Sequence, residues 1–269
     1  MNKKISNILN FSLFKASGVY TLGTILKSAI PFFLLPILTR YLTPLEYGIV
    51  AMFSLVLSIV NVFMGLSVHG AIQRVYYDKK FLFEEYVANC LLILLVSSLI
   101  SLVFILLFKD VISSLTDIPK NWLWLIVVAS FFQFAIQSLL AIYQARMETL
   151  KYILLQIGQT LINVVLSVIF VVFLLMHWQG RILAQIIAFV IVGTISLYIL
   201  ITKWSIIKLN IQYIKHALKF GLPLIPHSLG GMLMVVTDRL IITNRLGLKE
   251  TGIYTVGLQL GMIIGILAK

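Results

Sequence analysis

A lysine in the middle of a long apolar run is the residue of this sequence with the most chemistry to offer. Lys27 stands inside the run from Phe14 to Leu42. A cation at the centre of a membrane helix costs about 3 kcal/mol unless it faces a cavity or a partner. Tyr20, Thr24 and Lys27 follow i, i+4, i+7 spacing, so a helix places them on one stripe. Pro31 has no N–H to offer the Lys27 carbonyl and predicts a kink there, and Pro36 repeats the signal further along the run. A cation, a free carbonyl and a kink so close together suit a cavity that receives a phosphate group. A lysine paired to a neighbouring helix, or one snorkelling to the surface, accounts for the same residues.

Other polar groups interrupt the apolar runs. Asp238 is the one carboxylate within such a run; with Arg239, and with Arg40 at the end of the first run, it suits a gate or an ion pair. A pair of helix-end charges reaching interfacial water accounts for it equally. Pro223 and Pro226 open the same run as Asp238 and predict a bend. Gln133, Gln137 and Gln144 share one helical stripe, and Gln156, Gln159 and Asn163 another. Of these, Gln133, Gln137, Gln159 and Asn163 are the candidates to hydrogen-bond sugar hydroxyls, with helix–helix adhesion as the competing role. The four histidines, His69, His177, His216 and His227, lack metal-ligand spacing, and Cys90 stands alone. No metal site, cofactor motif or catalytic constellation is legible, and no phosphate-binding glycine loop is present for nucleotide-driven work.

The elements that carry these groups follow from composition. The chain has 269 residues, of which 61% are hydrophobic and 11% charged, and its mean hydropathy is +1.06. Soluble domains are about 45–50% apolar and about 25% charged. Eight apolar segments recur: Phe14–Leu42, Gly48–Val68, Val87–Phe108, Trp122–Tyr143, Ile153–Met176, Ile182–Thr202, Phe220–Thr243 and Gly252–Ala268. Each is about the length that an α-helix needs to cross a bilayer core of about 30 Å. The sequence therefore predicts an all-α polytopic membrane bundle of about eight transmembrane helices. The ten-residue alternating segments of a membrane β-barrel are missing.

The net charge of +12 would suggest nucleic acid in a soluble protein, but these cations lie between apolar runs and read as topological signals. With the N-terminus inside, 12 Lys and Arg fall on the inner side and 7 on the outer. That count predicts a cytoplasmic N-terminus. The stretch KWSIIKLNIQYIKHALK at 203–219 differs from the rest, mixing lysines with apolar residues near helical spacing. It predicts an amphipathic helix on an anionic inner leaflet, or a simple cytoplasmic connector.

The chain also repeats itself at an offset of 204 residues: ILTRYLTPLEYGIVAMF at 37–53 aligns with IITNRLGLKETGIYTVG at 241–257. The identities are Ile37/Ile241, Thr39/Thr243, Leu42/Leu246, Glu46/Glu250, Gly48/Gly252 and Ile49/Ile253. Each copy ends one run, turns through a glutamate and opens the next run at Gly-Ile. Parallel repeats of this kind are a transporter architecture with the substrate path between the halves. The expected organisation is a six-helix lobe at 1–202, an amphipathic linker at 203–219, and the opening of a second lobe at 220–269. The second copy stops inside its second helix, so the chain reads as C-terminally incomplete.

On PFFLLPILTRYLTPLEYGIVAMFSL at 31–55 and TDRLIITNRLGLKETGIYTVG at 237–257, the chain resembles the polysaccharide-exporter branch of the multidrug, oligosaccharidyl-lipid and polysaccharide exporter superfamily. The resemblance implies a two-lobed flippase in the bacterial cytoplasmic (inner) membrane. Such a protein moves undecaprenyl-pyrophosphate-linked oligosaccharides outward for capsule, O-antigen or exopolysaccharide assembly. It implies membrane lipids and other polysaccharide-assembly proteins as partners, no cofactor and no nucleic acid. An anionic pyrophosphate wants a cationic cavity, for which Lys27 and Arg239 are the candidates. The alternatives are a cation-coupled multidrug exporter of the same superfamily, for which Asp238 is the one suitable carboxylate, and a non-transporting remnant. A membrane enzyme would need a cluster of reactive groups in a sizeable outer loop, and the outer loops here are short.

Overall fold

The computed structural model describes Ile30, residues 32–78 and residues 80–267. Eleven α-helices are found among them: α1 (Phe32–Tyr41), α2 (Pro44–Phe63), α3 (Val68–Val75), α4 (Phe83–Leu107), α5 (Lys109–Thr116), α6 (Leu123–Ala145), α7 (Thr149–Val168), α8 (His177–Trp204), α9 (Ile211–Gly221), α10 (Leu224–Leu246) and α11 (Leu248–Leu267). No strand occurs among the described residues. Five helices are long and apolar enough to cross a membrane, or six when the bent pair from Ile211 to Leu246 counts as one. The protein is an all-α, multi-pass membrane bundle. Most of the first apolar segment lies outside the described residues.

The helix ends follow local chemistry. Thr43 opens α2 with a reciprocal cap: its hydroxyl accepts from the Glu46 N–H at 3.3 Å, and its own N–H donates to Glu46 Oε2 at 2.8 Å. Pro44 takes the first helical position, where its missing N–H would be unpaired anyway. The helix thus starts four residues before the apolar run at Gly48. Pro223 is the N-cap residue of α10 and Pro226 lies in its first turn. Pro223 stands in the break between α9 and α10, and a 50° bend follows between Leu233 and Val236.

Antiparallel hairpins sort the connections onto two ends. The upper end gathers the start of α2, α5, the α7–α8 turn and the α10–α11 turn; His177 reaches Glu46 there, and Asn244 donates to the Leu115 carbonyl. The lower end gathers the α3–α4 and α6–α7 turns and the segment leading to α9, with Tyr77 donating to the Ala145 carbonyl. The core runs between them through Met52, Phe53, Tyr86, Leu94, Ile126, Leu139 and Ile182, all buried. α4 turns Leu95, Leu99, Val103 and Leu107 outward at i+4 spacing. Such a row is unfavourable in water and at home against lipid tails, which are as apolar as leucine.

The stretch 203–219 is not one helix. Residues 205–210 are not helical, with extended backbone at Ser205 and Asn210, and α9 begins only after Asn210, whose side chain caps it by accepting from Gln212 N–H at 3.0 Å. The non-helical part gives its backbone to α4: Ile206 N–H donates to the Glu84 carbonyl, and Asn210 N–H to Asn89 Oδ1.

Candidate functional site

The two helices that open the repeat copies, α2 and α11, cross near their upper ends. A β-carbon on Gly48 would lie 2.0 Å from the Leu248 carbonyl oxygen, and one on Gly252 would lie 1.9 Å from that of Pro44. Those four residues are matched pairs of the sequence repeat. The glycines are what let the two backbones touch, as small residues do in membrane helix pairs.

Polar side chains gather beside this crossing. Tyr47, on the first turn of α2, is buried, and its hydroxyl donates to Gln259 Oε1 on α11 at 2.8 Å. Two guanidinium groups lie within electrostatic reach of that hydroxyl: Arg181 from α8 and Arg239 from α10. Arg181 Nη1 donates to Asn163 Oδ1 at 2.8 Å and to Ser167 Oγ at 3.1 Å, both on α7. This fixes the guanidinium against α7. Arg239 is partly buried, and its Nε has no acceptor among the described residues. Tyr254 on α11 also lies within its reach and donates to Asp238 Oδ2 at 2.9 Å. Two cations, on α8 and α10, thus act on one tyrosine hydroxyl of α2, in a medium where charges are costly to leave uncompensated.

The sequence candidates divide accordingly. Asn163 and Arg239 belong to this cluster, and Asp238 sits at its edge with an exposed side chain bound to Tyr254. Arg40 is exposed on α1, and Pro36 faces outward on the same helix. Gln133 on α6 has a buried Oε1 with no partner among the described residues. Gln137 on α6 and Gln159 on α7 are partly buried. No hydrogen bond joins these three glutamines to the arginine cluster among the described residues. Tyr20, Thr24, Lys27 and Pro31 lie outside the described residues.

Arg181, Tyr47, Ser167 and Gln259 were missed by reading along the chain. Arg181 counts there as one more loop cation. Tyr47 looks like an ordinary apolar residue of the TPLEY turn. The histidines stay apart: His177 pairs with Glu46 at 3.3 Å, His216 meets the Tyr86 hydroxyl at 3.0 Å, and His69 stands edge-on to Phe134.

Residues 13–268 match the family model described as Polysaccharide biosynthesis protein, and the chain belongs to that family. Two relatives come from Haemophilus influenzae. An uncharacterized membrane protein is 27% identical over 262 residues, covering 95% of this chain and 62% of its own length. Lsg locus putative protein 1 is 26% identical over 268 residues, covering 94% and 62%. The chain thus spans about 62% of the length of both relatives. Among solved structures, the MATE multidrug transporter DinF-BH superposes with a TM-score of 0.74 at 19% identity, over 93% of this chain and 60% of that one. A MATE protein in complex with Br-NRF gives 0.70 at 17%, over 93% and 62%. These likenesses establish a shared fold.

Proposed function

We propose that this chain supplies the first lobe, and the opening of a second, of a transporter that moves an undecaprenyl-pyrophosphate-linked oligosaccharide outward across the bacterial cytoplasmic membrane, with a cytoplasmic N-terminus. In this reading the lobe is 1–202, the linker 203–219 and the second opening 220–269. The observation that carries it is the pair Arg181 and Arg239 around Tyr47. A guanidinium in a low-dielectric setting is costly unless an anion or acceptor compensates it. The planar fork of arginine matches phosphate oxygens two at a time. Among the described residues, Arg239 Nε already lacks an acceptor. In this reading Asn163, Gln133, Gln137 and Gln159 hydrogen-bond the sugar hydroxyls, and Lys27, Thr24 and Tyr20, which lie outside the described residues, are the sequence's further candidates to meet the substrate. Work against a gradient comes from an ion gradient or a partner in polysaccharide assembly, since no nucleotide motif is legible in the sequence.

A second reading, a cation-coupled drug exporter, has its own support in the Asp238–Tyr254 pair and in the MATE proteins of the same fold. One experiment separates the two. The purified chain in nanodiscs is titrated with undecaprenyl pyrophosphate, with undecaprenol, and with a cationic dye. The flippase reading expects the pyrophosphate to bind at least about ten-fold more tightly than the alcohol, a difference of about 1.4 kcal/mol. It also expects Arg181→Gln and Arg239→Gln each to remove that preference. Equal binding of pyrophosphate and alcohol would overturn it, and dye binding abolished by Asp238→Asn would favour the exporter.

A further inference from the structure

We infer that the lower end of the bundle holds a site for one anionic phospholipid, an acyl chain lying in a groove on α4 and the phosphate against Lys208. The groove, about 270 Å³, is lined by α4, by Ile201 near the end of α8 and by the segment 205–209. Ala88, Leu91, Leu95, Ile201, Ile207 and Leu209 make its apolar lining. Asn89, Ser205 and Lys208 add the polar groups. An apolar trough that also carries an amide, a hydroxyl and an ammonium has the chemistry to take a lipid tail together with its headgroup.

The segment over the groove is built for a lipid boundary. Ile207 is 91% exposed and Leu209 67%, an unfavourable arrangement in water. Their backbone is nonetheless fixed: Asn89 Nδ2 donates to the Lys208 carbonyl at 2.9 Å while Asn89 Oδ1 accepts from Asn210 N–H. That double amide bond sets where Lys208 stands. Its ammonium gives one bond to Glu85 Oε1 at 3.1 Å, and an ammonium has three donors. Two remain for phosphate oxygens on a side chain that is 65% exposed.

Charge selects among lipids. From 203 to 219 the chain carries Lys203, Lys208, Lys215 and Lys219 and no acidic residue. Arg146 adds a fifth cation, its guanidinium 4.7 Å from the Trp204 ring. The acids of this end are Asp78 in the α3–α4 turn, Glu84 and Glu85 in the first turn of α4 and Glu148 beside Arg146; Glu85 is held by Lys208, Glu148 by Arg146 and Lys151, and Asp78 accepts from Lys80 N–H. A zwitterionic headgroup gains little from this surplus, whereas an anionic one gains roughly five-fold in association for each lysine near the surface.

Trp204, adjacent to Ser205, is the reporter. The full chain carrying Trp122→Phe, Trp124→Phe and Trp178→Phe is reconstituted in phosphatidylcholine vesicles, and Trp204 emission is followed as lipids brominated on the acyl chain are exchanged in. Brominated phosphatidylglycerol should quench half of the emission at a mole fraction about five-fold lower than brominated phosphatidylcholine. Lys208→Gln should narrow the separation between the two curves by about five-fold, and Lys208→Arg should leave it unchanged while reporting that the fold survives change at this position. Equal quenching by the two lipids in the parent chain, or a separation that Lys208→Gln leaves undiminished, would overturn the site.

Discussion

The α2–α11 crossing has two sides built from matched positions of the sequence repeat, and the two sides are packed differently. On the α10 side, Thr243 and Thr251 share a hydrogen bond at 2.7 Å, the Thr243 hydroxyl meets Met52 Sδ at 3.2 Å, and all three residues are buried. On the α1 side, the mates are Thr39, Tyr47 and Val256, and they border an open cleft of about 220 Å³. Val256 is shorter than Met52. Tyr47 points its hydroxyl to Gln259, whereas Thr251 turns to a threonine beside it. The glycines keep the same backbone contact on both sides. A pseudo-symmetric frame can therefore be held by four matched residues while side chains make one flank solid and leave the other accessible.

The most damaging way to break this comparison is to remove the frame. Gly252→Leu drives a side chain into the Pro44 carbonyl. Neither backbone can yield without parting the helices, so the expected loss is at least about 3 kcal/mol, seen as a fall of roughly 10 °C in the detergent unfolding midpoint. An unchanged midpoint would mean that the close approach is not needed.

Next comes exchange of the unequal side chains. Met52 is 0% exposed, and Met52→Ala should open the closed flank at a cost of about 2–4 kcal/mol. Val256→Met should fill the open one and stabilise by about 1 kcal/mol. Destabilisation by Val256→Met in the same thermal assay would show that the cleft has no room for the longer side chain.

Asn163→Ala sharpens the polar side of the picture. It removes one of two acceptors holding Arg181, and a hydrogen bond to a charged group contributes about 1.5–3 kcal/mol. A Ser167→Ala, Asn163→Ala double mutant should lose more than the sum of the singles, because the guanidinium is then left without either partner. Strict additivity in chemical or thermal unfolding would argue against a shared network.

The smallest expected effect lies at the opposite end of the bundle. Between α6 and α7, the Glu148 carboxyl is held below the usual carboxylate range, first by the hydrogen bond from Lys151 and then by that from Arg146. A depressed carboxylate stabilises the fold above its unfolded pKa, near 4.3, and this contribution disappears as pH falls through the lower folded value. On a partly exposed pair the effect stays under about 1 kcal/mol. Acidification from about pH 6 to about pH 3 should lower the unfolding midpoint slightly more in the parent than in Glu148→Gln. Identical profiles would show that the pair contributes nothing.

Much of the fold was legible along the chain, and its failures are specific. The apolar runs locate the long helices α2, α4, α6, α7, α8, α10 and α11 and pass over the short α3 and α5; they place the start of α2 at Gly48, because a hydropathy reading stops where the capping residues Thr43 to Glu46 begin. The linker looked continuously helical from its spacing of isoleucines and lysines. It is not helical from 205 to 210 because its backbone donors and acceptors are taken by Glu84 and Asn89, more than a hundred residues earlier in sequence. The same reason hides Arg181. Its partners Asn163 and Ser167 lie 18 and 14 residues away on another helix, and no local periodicity links them.

The sequence by itself determined that this is a multi-pass α-helical membrane protein, because the free energy of placing a segment in lipid is nearly a sum over its own residues. It also displayed the repeat and, within it, the glycines at 48 and 252, since their role depends only on having no side chain. Which cations converge was decided by the tertiary structure alone. Arg181, Arg239 and Tyr47 come from three helices, and the position of a guanidinium in space depends on how those helices cross. So too for Lys208: its charge is written in the chain, but the groove beside it exists only where α4, α8 and the non-helical linker meet.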